Sequence, residues 1–190
     1  MQVTITNLKF PKLSFAGDLN ERSQISQIFQ SYTLSSAAAP IIELDLSAVR
    51  SGNSMGMLLW QREMQRLAVP IFYSNAPSWL VYYFNVLSSF FGTPTCYVKS
   101  LNLAFYNQDL DEVVHQLFTV GKEIPLLKDY SEFVIPNVSI KQKIFEPDFL
   151  LRSNFILSRK ITISLSNLRQ SSENFYRLIS AFNLNFQSQL

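Results

Sequence analysis

Leu44-Asp45-Leu46-Ser47-Ala48-Val49-Arg50-Ser51-Gly52-Asn53-Ser54-Met55-Gly56 is the stretch on which the fold turns. With Ile42 and Glu43 in front of it, the first half alternates. Ile42, Leu44 and Leu46 share one face, and Glu43 and Asp45 share the other, which is the period of a half-buried strand. The second half is a short loop of small and polar residues. Helical spacing follows: Met57, Trp60, Met64 and Leu67 form one apolar stripe, with Arg62, Glu63 and Arg66 on the solvent face. A strand therefore feeds through a tight loop into an amphipathic helix. Asn53 or Ser54 can cap that helix, and Gly56 keeps its first turn open to close approach. The Ser54 hydroxyl lands where free backbone N–H groups and the positive end of the helix dipole converge.

Toward the N-terminus, Val3-Thr4-Ile5-Thr6 and Leu13-Ser14-Phe15-Ala16 alternate in the same way and predict two more strands. After the turn Gly17-Asp18-Leu19-Asn20, Ile25, Ile28, Phe29 and Tyr32 recur at helical spacing. Toward the C-terminus, Val69 to Ser74 and Cys96 to Leu101 read as the fourth and fifth strands. A third helix is expected from Ser78, which can cap it behind the strand-breaking Pro77. The predicted order is ββαβαβαβ, an α/β mixed sheet. Strands buried on both faces read as continuous apolar runs, so alternation here argues for helices mainly on one face.

Beyond Leu101 the pattern weakens. Glu112 to Val120 fits a strand or one short helix, and Pro125, Pro136 and Pro147 punctuate a segment rich in Phe and Ile. Asp148 to Arg159 and Ser172 to Phe186 read as helices. The expected division is a domain over 1–105 and an irregular α+β extension over 106–190, packed on it.

Composition narrows the function. The chain has 190 residues, of which 47% are hydrophobic and only 16% charged, so a large core is available and some apolar surface needs a cover. The net charge is +2 with scattered basic residues, which leaves no nucleic-acid footprint. Cys96 is the single cysteine and His115 the single histidine, so nucleophilic and metal sites lack the convergent groups they need. No enzyme, cofactor or metal site is expected. Cys96 reads as a buried small hydrophobe, Trp60 as core, and Glu43 and Asp45 as a solvated or extension-covered face. The first residues lack the basic-then-apolar order of a secretion signal, and Trp79 to Phe91 is too short to span a bilayer. A cytoplasmic protein without a transmembrane segment is expected. The aromatic run Trp79, Tyr82, Tyr83, Phe84, Phe90 and Phe91 is apolar nearly all round. The extension is its first expected cover and a homodimer contact its second.

The central stretch resembles the STAS (anti-sigma factor antagonist) family. A strand like Leu44-Asp45-Leu46-Ser47-Ala48-Val49, a short loop and then Asn53-Ser54-x-Gly56 opening a helix is similar to that family's signature, and Phe15 to Asn20 to its turn before the first helix. The resemblance implies a non-enzymatic signalling module. Its partner would be another protein, a kinase-like anti-sigma factor or a transporter component. Gly17, Asp18, Asn20, Ser51, Asn53, Ser54, Met55 and Gly56 would form the partner-binding surface, and Ser54 matches the family's phosphorylation site. Asn53 stands where phosphorylated antagonists carry Asp, so Ser54 reads as a cap or contact residue ahead of a switch. The chain is also similar to a bacterial subgroup whose extension carries zinc-binding cysteines, which are absent here. The alternative reading is a ligand-binding or lipid-transport accessory. Only five glycines and no phosphate loop speak against a dedicated nucleotide site.

Overall fold

The computed structural model describes residues 1–6, 11–35, 42–67, 69–86, 96–125 and 135–147. Among the described residues the protein is mixed α/β, with strands outnumbering helices. The first sheet holds β1 (Gln2–Thr6), β2 (Lys12–Leu19), β3 (Ile42–Gly52), β4 (Ile71–Ser74) and β5 (Cys96–Val98), in that spatial order. β1 runs antiparallel to β2, and the remaining neighbours are parallel. Parallel neighbours need crossovers, and three helices provide them: α1 (Ile25–Ser35), α2 (Ser54–Arg66) and α3 (Ser78–Val86).

One face of this sheet is built by the alternation. Leu13 lies beside Leu44, and Leu44 beside Tyr73. Against that face a run of rings connects the helices. Phe15 meets Phe29 of α1 at 5.9 Å and Trp60 of α2 at 5.4 Å, Trp60 meets Tyr73 at 6.3 Å, and Tyr73 meets Phe84 of α3 at 5.1 Å. All five side chains are buried, as are Cys96 and the stripe Met57, Trp60, Met64 and Leu67.

The opposite face is polar but not simply solvated. Lys12 Nζ lies 2.8 Å from Asp45, and Lys99 Nζ lies 2.8 Å from Glu43. Asn75 donates to Asp45 at 3.0 Å. Asp45 is only 8% exposed, so these partners are what make its burial tolerable.

Two expectations are corrected beyond residue 95. Cys96 to Leu101 is not one strand: the chain bends at Lys99, whose N–H donates to Tyr73 O at 2.8 Å and whose side chain binds Glu43. β6 (Ser100–Asn107) then starts a second sheet and runs across the expected boundary at 105. The described part of the expected extension is regular rather than irregular: β7 (Glu112–Thr119), β8 (Val138–Ile140) and β9 (Lys143–Pro147) join β6 in an antiparallel sheet ordered β7-β6-β9-β8. Glu112 to Val120 is thus the strand of its two readings. Phe105 stacks on Phe118 at 5.5 Å, and Leu101, Leu103 and Phe145 bury beside them. The second sheet shares one continuous core with the first. The helices read over Asp148–Arg159 and Ser172–Phe186 lie outside the described residues, as do Phe90, Phe91 and the Tyr32 side chain.

Among the described residues no helix is long and apolar enough to cross a membrane.

Candidate functional site

The parallel strands β2 and β3 end together, and their following loops interlock. The parallel register between them slips twice, between Ser14 and Ala16 and again between Gly17 and Asp18. At the second slip Gly17 faces Val49 while Asp18 faces Ser51, so Arg50 is the extra residue of a bulge. Gly17 tolerates this with φ +106°, a left-handed conformation that strains other residues. The bulge brings two side chains to one carboxylate. Arg50 Nη2 and the Ser51 hydroxyl both donate to Asp18, each at 2.9 Å. Arg50 is exposed, so the ion pair contributes about 0–1 kcal/mol and fixes geometry more than stability.

Asn53 is the second fastening. Its side-chain oxygen accepts from Gly56 N at 2.9 Å and caps α2, its backbone N–H donates to Leu19 O at 3.0 Å, and its amide donates to Glu21 at 2.8 Å. That last bond holds the Glu21 carboxyl below the usual carboxylate range. The cap therefore belongs to Asn53, and Ser54 is the first helical residue. Gly56 is the third fastening. A Cβ there would meet the Leu19 carbonyl and Asn20 N, so the first turn of α2 rides directly on the end of β2.

Of the residues singled out from sequence, the structure joins all eight in this corner, in three roles. Ser51, Asn53, Ser54 and Met55 are exposed. Gly17, Asp18 and Asn20 are half-buried, with the Asn20 side chain accepting from Arg22 N at 2.9 Å. Gly56 is buried. Sequence reading missed Arg50, Glu21 and Leu58. Leu58 carried a usable signal, since it is an apolar residue off the buried stripe of its own helix. Glu21 carried none, because its bond to Asn53 joins residues far apart in sequence.

Met55 and Leu58, one helical turn apart, are 51% and 60% exposed beside Ser54. Arg62 continues the same outer stripe and donates to Ser26 at 3.2 Å. The corner is an apolar pair with a hydroxyl beside it, framed by arginines on a fixed backbone. It offers an exposed surface for contact.

Elsewhere, His115 stands exposed on β7, with Nδ1 3.4 Å from the Ser78 hydroxyl. Ser78 is the first residue of α3 and does not cap it; Pro77 O takes the first helical bonds, from Leu80 and Val81. Among the described residues no group of three or more His, Cys, Asp or Glu is placed to hold a metal ion. No family model, curated protein or solved structure matches the chain.

Proposed function

We propose that the chain is a non-enzymatic, cytoplasmic docking module of the anti-sigma factor antagonist (STAS) type. It binds a protein through the ends of β2 and β3 and the outer stripe of α2. The observation that carries the reading is the exposed Ser54–Met55–Leu58 surface on a backbone that Asp18, Asn53 and Gly56 hold rigid. A preorganised apolar pair costs little ordering entropy on binding. The described charged groups around it are Arg22, Arg50, Arg62 and Arg66 against Asp18, Glu21 and Glu63; Arg50 pairs with Asp18, and Arg62 and Arg66 share Glu63, so the rim keeps a net positive charge. The partner surface is accordingly apolar with acidic groups at its rim, as suits a kinase-like anti-sigma factor or a transporter component.

Ser54 is the regulatory position in this reading. A phosphate there would add about −1.5 to −2 charges beside Met55 and Leu58 and oppose an acidic partner.

The test immobilises the intact chain, Leu58→Arg and Ser54→Asp, and measures retention of the captured protein identified by mass spectrometry. A kinase-like or transporter protein should be retained by the unmodified chain and lost roughly tenfold with Leu58→Arg, the scale of one interface anchor. Retention unchanged by Leu58→Arg would sink the docking surface. Retention unchanged by Ser54→Asp alone would remove the switch and leave the surface.

A further inference from the structure

β7 is the last strand of the second sheet, and no described strand pairs with its outer edge. Two bonds fix which way its backbone faces. Val120 N donates to Lys99 O at 2.9 Å, on the β6 side, whereas Thr119 N donates to Glu123 at 2.9 Å, away from it. In an antiparallel pair the N–H and C=O of one residue point the same way, and the direction alternates along the strand. The main-chain groups of Val113, His115 and Leu117 therefore point outward, and no described residue bonds them. Edge strands are ordinarily blunted by Lys, Pro or a bulge. Val113-Val114-His115-Gln116-Leu117 has none of these, and its register with β6 is unbroken. Val113 is 56% exposed and Leu117 42%, on the same face of the strand.

We propose that β7 pairs antiparallel with β7 of a second copy of this chain, about a two-fold axis passing at His115. Such an axis stands perpendicular to the sheet and keeps faces matched, so only residues of one face come opposite each other. Centred on His115, Val113 lies opposite Leu117 of the second copy, and Leu117 opposite its Val113. Val114 lies opposite Gln116 on the other face. The strand is thus its own complement: two apolar cross-strand pairs form and no like charges meet. The outward residues Val113, His115 and Leu117 are also those that face one another, so they supply the main-chain bonds. A foreign strand would satisfy the backbone equally, but the doubled Val–Leu contact is supplied by the chain's own sequence. The surface is separate from the α2 docking corner and stands or falls without it. Five residues a side place it at the weak end of interface sizes, dissociating on dilution.

Sedimentation velocity of the full chain over a roughly hundred-fold dilution series tests this. A monomer–dimer equilibrium is expected, with Val113→Lys plus Leu117→Lys weakening it at least about tenfold while thermal melting is unchanged. Cysteine substitution reports the register: His115→Cys should give a disulfide-linked dimer under mild oxidation, since position 115 meets itself, and Val113→Cys should not. Native Cys96 is buried and does not compete. The proposal is overturned by a monomer at every concentration. It is equally overturned by a dimer indifferent to the lysine pair, which points to another edge such as β1, or by Val113→Cys linking as readily as His115→Cys, which points to another register.

Discussion

Asn53 does three jobs with one side chain and one N–H, and its neighbour Ser54 does none of them. Removing the cap should therefore cost stability at one position and not at the next. Asn53→Ala is expected to destabilise by about 1 kcal/mol or somewhat more, since it also frees Glu21, and Ser54→Ala by under about 0.5 kcal/mol. Paired urea denaturation curves check the contrast. Gly56 makes a sharper case. Alanine there drives a methyl into the Leu19 carbonyl, which is backbone and yields only if α2 lifts off β2. Gly56→Ala should cost about 3 kcal/mol, the upper end for overpacking, and should weaken docking even where the fold survives. The presence of a cap at the start of α2 was readable because it is a local feature, and Gly56 marked a close approach without showing that Leu19 makes it. Which of Asn53 and Ser54 caps was not readable, since that depends on Leu19 approaching from another strand.

At the scale of elements, β3 joins the two halves of the argument. Its apolar alternation was plain in sequence, but its bulge was not, because a register slip is a property of the pair. Without the bulge, Arg50 and Ser51 would point to opposite faces and could not share Asp18. The polar face of the same strand predicts a pH effect. Burial alone would raise the Asp45 pKa, but hydrogen bonds from Lys12, Asn75 and Ser47 more than reverse this and hold it at about 2. A carboxyl lower in the folded state than in the unfolded chain adds stability above its unfolded pKa of about 4. That stability is lost as pH falls from about 4 to about 2. Discounted for solvent screening, the contribution is about 1–2 kcal/mol. Acid titration of unfolding should show that loss, and Asp45→Asn should flatten it. On the other face, Trp60→Ala empties the centre of the ring cluster and should cost about 3–5 kcal/mol, measured by thermal melting.

For the molecule as a whole, the first sheet was legible and the second was not. Strands β1 to β3 announce themselves through alternation, and β4 reads as a strand ahead of the breaking Pro77. β6 hides behind β5, separated from it by Lys99 alone, so the six residues Cys96 to Leu101 read as one element that in fact belongs to two sheets. β9 pairs with β6 across a long stretch of chain, and such non-local pairing leaves no short-range signal. The result is one core under two sheets, with the Asp18–Asn53–Gly56 corner at the carboxyl ends of β2 and β3 and, among the described residues, no strand on the outer edge of β7.

The most direct measurement of the central claim places a photo-crosslinking side chain at position 58 of the intact protein in its native cell. A second copy of the experiment carries the label at Lys143, far along the chain on the second sheet. The account predicts a discrete adduct with a different protein from position 58, diminished by Ser54→Asp and absent from position 143. No adduct at 58, or the same adducts at both positions, would contradict it.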